Sequence, residues 1–319
     1  MNEPPSEPPK MTVIIPLLNE SRTLQPLCER LARVLNELTS DWEVIAIDDG
    51  SSDDTYETLC RIRAADPRIR ILKLSRNFGK EAAICAGLRV ASGDRVVLMD
   101  GDLQHPPEAL IEMSEIADQG CDVVFGLPRT RRGESRLRGL LSTLFYMVFS
   151  RASEVKIELN ASDFRMMSRR VVAALNAMPE QTRFMKGLYA WVGFSQRGMV
   201  YDVGARRAGR SKWSFLKLCA YAWSGIISFS AAPLRFWSVI GCLIATGALG
   251  YAAWIGTTTL LYGRDVPGYA TLAVAIFFLG GLQLISIGVL GEYIARIFDE
   301  SKGRPLYIIE AWHGFDAIN

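Results

Sequence analysis

Histidine is nearly absent from this 319-residue chain, which holds only His105 and His313. The six cysteines, Cys28, Cys60, Cys85, Cys121, Cys219 and Cys242, are scattered and form no C-x-x-C pair. Neither a zinc centre nor a disulfide framework fits that usage, which predicts free buried thiols in a reducing compartment. A G-x-G-x-x-G turn is missing, and Gly79-Lys80 does not stand in a G-x-x-x-x-G-K-[ST] frame. A dinucleotide-binding Rossmann domain and a P-loop NTPase are therefore disfavoured. Charge of one sign is lacking too: 36 basic and 34 acidic residues leave a net +2, and 49% of the chain is hydrophobic. That balance argues against a nucleic-acid partner and against a disordered chain.

Charge is missing altogether from two long stretches, Phe236 to Tyr262 and Val266 to Gly291. Each exceeds the roughly 20 apolar residues that span a bilayer core. Only Arg264 and Asp265 carry charge between them, so the pair reads as a transmembrane hairpin. Arg206, Arg207, Arg210, Lys212, Lys217 and Arg235 precede the first span, and Arg296, Lys302 and Arg304 follow the second. By the positive-inside rule both flanks face the cytoplasm. The segment 1–10 is Pro-rich and acidic, which predicts a disordered tail and not a signal peptide. Ala248, Ala252 and Gly256 recur every four residues in the first span, a spacing that predicts close helix packing and an oligomer.

Strand and helix patterns alternate over the first two-thirds. Strands are expected at Met11–Leu17, Trp42–Ile47, Ile69–Leu74, Arg95–Met99 and Cys121–Gly126, and helices at Leu24–Leu38, Asp53–Ala65, Phe78–Ala91 and Pro107–Gln119. This order predicts an α/β domain with a mostly parallel sheet and helices on both faces. Farther on, Arg136–Ser150 and Thr182–Trp191 read as helices and Asp163–Ser168 as a short strand. The apolar face running from Phe215 to Phe229 predicts an interfacial helix on the membrane. The expected domains are 11–205 catalytic, 206–232 juxtamembrane, 233–295 transmembrane, and 296–319 a cytoplasmic tail.

Chemistry concentrates at strand ends. Val96-Val97-Leu98-Met99 runs into Asp100-Gly101-Asp102-Leu103-Gln104, which spaces two carboxylates and an amide along one face of an extended chain. Open α/β sheets bind ligands at such carboxyl ends. An all-oxygen set suits Mg²⁺ or Mn²⁺ bridging to a diphosphate. Asn19-Glu20 and Asp48-Asp49 end two further strands, and acids gathered on one edge repel unless a cation or donors join them. A basic run, Arg129, Arg131, Arg132, Arg136 and Arg138, offers guanidinium forks suited to phosphate. Arg138 and Ser142 are i, i+4 neighbours on the expected helix. His105 reads as structural.

Pro16-x-x-Asn19-Glu20, Asp48-Asp49-Gly50-Ser51, Arg76-Asn77-Phe78-Gly79-Lys80-Glu81 and Asp100-Gly101-Asp102-Leu103-Gln104-His105-Pro106-Pro107 together resemble glycosyltransferase family 2. Asp163-Phe164-Arg165, Thr182-Arg183-Phe184-Met185-Lys186-Gly187, Arg206-x-x-Gly209-x-Ser211-Lys212-Trp213 and the tail with Gly291-Glu292-Tyr293 extend the resemblance from residue 11 to about 310. The similarity is greatest to polyisoprenyl-phosphate glycosyltransferases. It implies a GT-A-type domain in which Pro16, Asn19, Glu20 and Asp49 line the nucleotide pocket. It also implies that Asp100, Asp102 and Gln104 hold the metal, that Lys80, Arg206 and Lys212 face the donor, and that Arg129, Arg138 and Ser142 bind the acceptor phosphate. Asp163 would lie near the reacting centre and position the acceptor, since a phosphate monoester is already largely deprotonated at neutral pH.

The resulting expectation is an inverting, metal-dependent hexosyltransferase at the inner membrane. It would pass a sugar from a nucleotide-sugar donor, UDP-glucose favoured, to a polyprenyl phosphate such as undecaprenyl phosphate. GDP-mannose remains open as donor. A processive polysaccharide synthase is disfavoured, because Gln181-Thr182-Arg183-Phe184 departs from Q-x-x-R-W, and a scaffold that only binds nucleotide-sugar is the non-enzyme alternative.

Overall fold

The computed structural model of the protein describes residues 10–129, 161–180, 183–204, 232–262 and 268–315. Eight strands form one sheet in the order β7-β5-β6-β4-β1-β2-β3-β8. They are β1 (Met11–Leu17), β2 (Trp42–Asp48), β3 (Ile69–Leu74), β4 (Arg95–Leu98), β5 (Val123–Pro128), β6 (Arg165–Ser168), β7 (Gln196–Tyr201) and β8 (Ile309–His313). The helices are α1 (Ser21–Leu38), α2 (Thr55–Ala65), α3 (Lys80–Val90), α4 (Ala109–Asp118), α5 (Arg169–Ala177), α6 (Met185–Trp191), α7 (Ala232–Tyr262) and α8 (Tyr269–Ser301).

Strands β1 to β4 pair in parallel, with Leu17 opposite Asp48 and Asp48 opposite Lys73. Strand β6 is antiparallel to both β4 and β5, and β7 is parallel to β5. All strands but β6 and β8 therefore run the same way. Their carboxyl ends share one edge, and the amino end of β6 meets them there. The expected mostly parallel α/β sheet is present, with two antiparallel members.

Alternation along β1 explains the two faces. Val13, Ile15 and Leu17 join α1, α2 and α4 in one core, while Ile14 joins α3, α5 and α6 in the other. Both faces are covered, so the central strands read as unbroken apolar runs.

Three elements depart from the sequence expectation. Helix α5 and strand β7 occupy segments whose pattern suggested nothing regular. The chain beyond α8, expected as a tail, supplies β8, which pairs antiparallel with the free edge of β3. Tyr307 and Phe315, on either side of β8, pack on the second core.

Helices α7 and α8 are long and apolar enough to cross a membrane: Phe236–Ile255 has a mean hydropathy of 1.7 and Phe278–Ser301 of 1.5. Among the described residues none of either stretch is buried within the protein, so these are not core helices. Helix α8 continues past the expected span, through Glu292, Arg296 and Asp299. The expected helices Arg136–Ser150 and Phe215–Phe229, the tail 1–9 and the 263–267 linker lie outside the described residues.

Candidate active site

The carboxyl edge opens into a cleft of about 310 Å³, bordered by Pro16, Glu20, Asp49, Lys80, Asp100 and Asp102. Loops after β1, β2, β3 and β4 build it.

The first two loops are stapled together. Asn19 lies in the left-handed region (φ 59°), and its side-chain oxygen accepts the Ser52 backbone N–H at 2.8 Å. Its own N–H donates to Ser51 Oγ at 3.0 Å. Asn19 thus shapes the loops, while its neighbours Leu18 and Glu20 border the cleft. Asp49 is buried, and its two carboxylate oxygens accept the N–H groups of Phe78 (2.8 Å) and Gly79 (3.0 Å). Burial raises its carboxyl above the ordinary range despite those bonds. Gly50 between the loops has φ +68°, and a Cβ there would fall 2.5 Å from the backbone of Arg76 and Asn77. Only glycine fits this turn.

The loop after β4 is equally constrained. Asp102 accepts the Gln104 backbone N–H at 3.0 Å and the Gln104 side-chain amide at 2.7 Å. Leu103 between them is buried at φ 63°, a strained conformation that fixes both neighbours. His105 accepts the Asp100 N–H through Nδ1 at 3.0 Å, stacks on Phe164 (4.8 Å, 11°) and meets the edge of Tyr201. Burial holds its imidazole below the ordinary 6.5, so it stays neutral and structural, as read from the sequence. Gly204 N–H, just beyond β7, bonds to the Gln104 carbonyl at 3.1 Å.

Lys80 opens α3 and joins the two sides of the site. Its ammonium lies 2.7 Å from Asp100 and 2.8 Å from Asp163. Burial works against its charge, but the two carboxylates outweigh that and raise its pKa. Burial would likewise push Asp163 up; Lys80, then Lys186 and Arg165, overcome it and hold that carboxyl well below the usual range. Asp163 is therefore ionised at neutral pH.

Arg165, Lys186 and Tyr189 carry no role that the sequence pattern alone announces. Buried Arg165 donates to the Ser162 carbonyl at 2.9 Å and lies 3.6 Å over the Tyr189 ring. A charged residue in the apolar run of α6 was the available signal for Lys186.

Asp100, Asp102 and Gln104 present oxygen donors on one loop, which fits a hard divalent cation. Among the described residues no group of three His, Cys, Asp or Glu side chains converges. The protein would supply two carboxylates and an amide, and the remaining coordination would fall to substrate and water.

Residues 12–175 match the family described as Glycosyl transferase family 2, and 232–297 match the GtrB C-terminal hairpin. The chain belongs to glycosyl transferase family 2. It is a glycosyltransferase. Similar relatives include an uncharacterized glycosyltransferase of Synechocystis sp. (44% identical; 97% of each chain) and the bactoprenol glucosyl transferase of Shigella phage SfV (42%; 94% of this chain, 98% of the relative). A prophage bactoprenol glucosyl transferase homolog of Escherichia coli is 41% identical over 94% of this chain and 98% of its own.

For this glycosyltransferase the structure brings Pro16, Glu20, Asp49, Lys80, Asp100 and Asp102 to one cleft, with Asp163 tied to it through Lys80. Arg129 follows β5 at the same edge and pairs with exposed Asp202 at 3.1 Å. Arg138, Ser142, Arg206 and Lys212 lie outside the described residues.

Proposed function

We propose that this enzyme transfers a hexose from a nucleotide-sugar donor, UDP-glucose in the first place, to a polyprenyl phosphate, with inversion at the anomeric carbon. The observation that carries the reading is the cleft itself. Asp100 and Asp102 line it, and Lys80 links Asp100 to the ionised Asp163. The relatives named bactoprenol glucosyl transferase support the acceptor class and glucose.

Pro16, Glu20 and Asp49 would hold the nucleoside end of the donor. Asp100, Asp102 and Gln104 would hold Mg²⁺ or Mn²⁺, which when bound neutralises the departing diphosphate. Arg129 would meet the acceptor phosphate, since its exposed pair with Asp202 contributes little; Arg138 and Ser142 are assigned with it from the sequence, as Arg206 and Lys212 are to the donor diphosphate. An acceptor oxygen attacks the anomeric carbon in line as the nucleoside diphosphate leaves. The dianionic phosphate needs no base, so Asp163 orients and does not abstract. Helices α7 and α8 would span the inner membrane and keep the cleft at headgroup depth on the cytoplasmic side.

Calorimetry of UDP and GDP binding with Mn²⁺ tests the donor half. Tight binding of UDP with Mn²⁺, lost without metal and in Asp102→Ala, is expected. Metal-independent binding, or preference for GDP, overturns the metal or the UDP assignment respectively.

A further inference from the structure

Among the described cations that act on Asp163, Lys186 is the one whose charge the reaction has not used. It lies in the first turn of α6, between buried Met185 and Gly187, and is itself half-buried. Tyr189 follows at i+3, on the same helix face, and carries Arg165 on its ring at 3.6 Å. Arg165 is two residues from Asp163, so this face of α6 turns toward the reacting centre. Burial lowers the pKa of Lys186, and the charge of Asp163 acts against that. It makes no hydrogen bond or ion pair with a described residue.

The other two described cations that act on Asp163 are committed. Lys80 is shared between Asp100 and Asp163. Arg165 is buried against Tyr189 and the Ser162 carbonyl. A phosphate monoester arriving beside the ionised Asp163 meets like charge, and its own charge is about −1.5 to −2 at neutral pH. Beside Asp163 that repulsion calls for a cation in addition to Arg129.

We propose that Lys186 is an acceptor ligand: its ammonium donates to a phosphoryl oxygen of a prenyl phosphate and holds it beside Asp163. The inference rests on the proposed transfer to a lipid phosphate. One oxygen of the held group forms the new bond to the anomeric carbon. The bond from that carbon to the diphosphate oxygen breaks, its electron pair leaves with the nucleoside diphosphate, and no proton moves. Lys186 contributes charge and position only.

The test compares full-length Lys186→Met and Lys186→Arg with the wild type in detergent. In Lys186→Met the KM for undecaprenyl phosphate should rise about tenfold or more, as for a lost hydrogen bond to a charged group. The donor KM and Mn²⁺-dependent UDP binding should hold, and Lys186→Arg should recover most of the loss. An unchanged acceptor KM in Lys186→Met overturns the inference, as does an equal loss of UDP binding. If Lys186→Met does not fold, Lys186→Arg decides: wild-type melting with an acceptor KM raised as for a lost charge also overturns it. Calorimetric binding of geranylgeranyl phosphate separates the two readings. Wild-type binding that Lys186→Met weakens supports Lys186 even without turnover, whereas a wild type with neither turnover nor binding sinks the acceptor assignment and this inference together.

Discussion

Asp163 shows how neighbours decide the role of a carboxylate. Lys80 at 2.8 Å, backed by Lys186 and Arg165, holds it below the ordinary 3.8 against the upward push of burial. Its charge is therefore constant through the neutral range. The rate should rise as the acceptor loses its second proton near pH 6 and then stay flat. Asp163→Asn should lower the rate yet keep that limb; loss of the limb would mean Asp163 takes the proton. His105 makes an opposite kind of contribution. Its folded pKa is depressed, so the stability it lends is complete above the ordinary 6.5 and is lost as pH falls through the folded value. Thermal melting should show that acid loss in the wild type and less of it in His105→Phe. Phe164, fully buried beneath His105, should cost about 3–5 kcal/mol when cut to Ala in denaturant unfolding. The place of Asp100 and Asp102 at a strand end was legible from the sequence because an apolar run ended on them. The Lys80 bridge was not, since it spans 83 residues of chain to Asp163.

At the scale of elements, the central strands were legible for the same reason. Strands β1, β2 and β4 are buried nearly throughout, so their sequences are continuous apolar runs. Strand β7 is mostly exposed, with only Met199 and Tyr201 buried, and β8 has no buried residue at all. Edge strands of that kind take their order from a partner, and no local run announces them. Strand β8 covers the β3 edge, with Leu72 opposite Trp312 and Lys73 paired to Glu310 at 2.9 Å. Tyr56 also bonds to His313 at 2.8 Å. Ending the chain after Gly303 should lower the melting temperature and promote aggregation through the bared edge; light scattering during a thermal ramp reads both. A truncated chain that melts as the full one does would show that β8 adds nothing.

For the whole molecule, two exposed apolar helices accompany a sheet whose acidic edge is the proposed donor site. Such an arrangement suits an acceptor that is half lipid and half phosphate. The chain should stay in the pellet when membranes are washed with alkaline carbonate, which strips peripheral proteins; release would contradict spanning helices. The central claim is transfer of sugar to a lipid phosphate. Its most direct test is mass detection of lipid-linked sugar made by the purified protein from undecaprenyl phosphate, Mn²⁺ or Mg²⁺, and a panel of UDP- and GDP-sugars. The account predicts polyprenyl-phosphate hexose from UDP-glucose, absent without metal and in Asp102→Ala. No lipid-linked product from any donor, with nucleotide still bound, would contradict it.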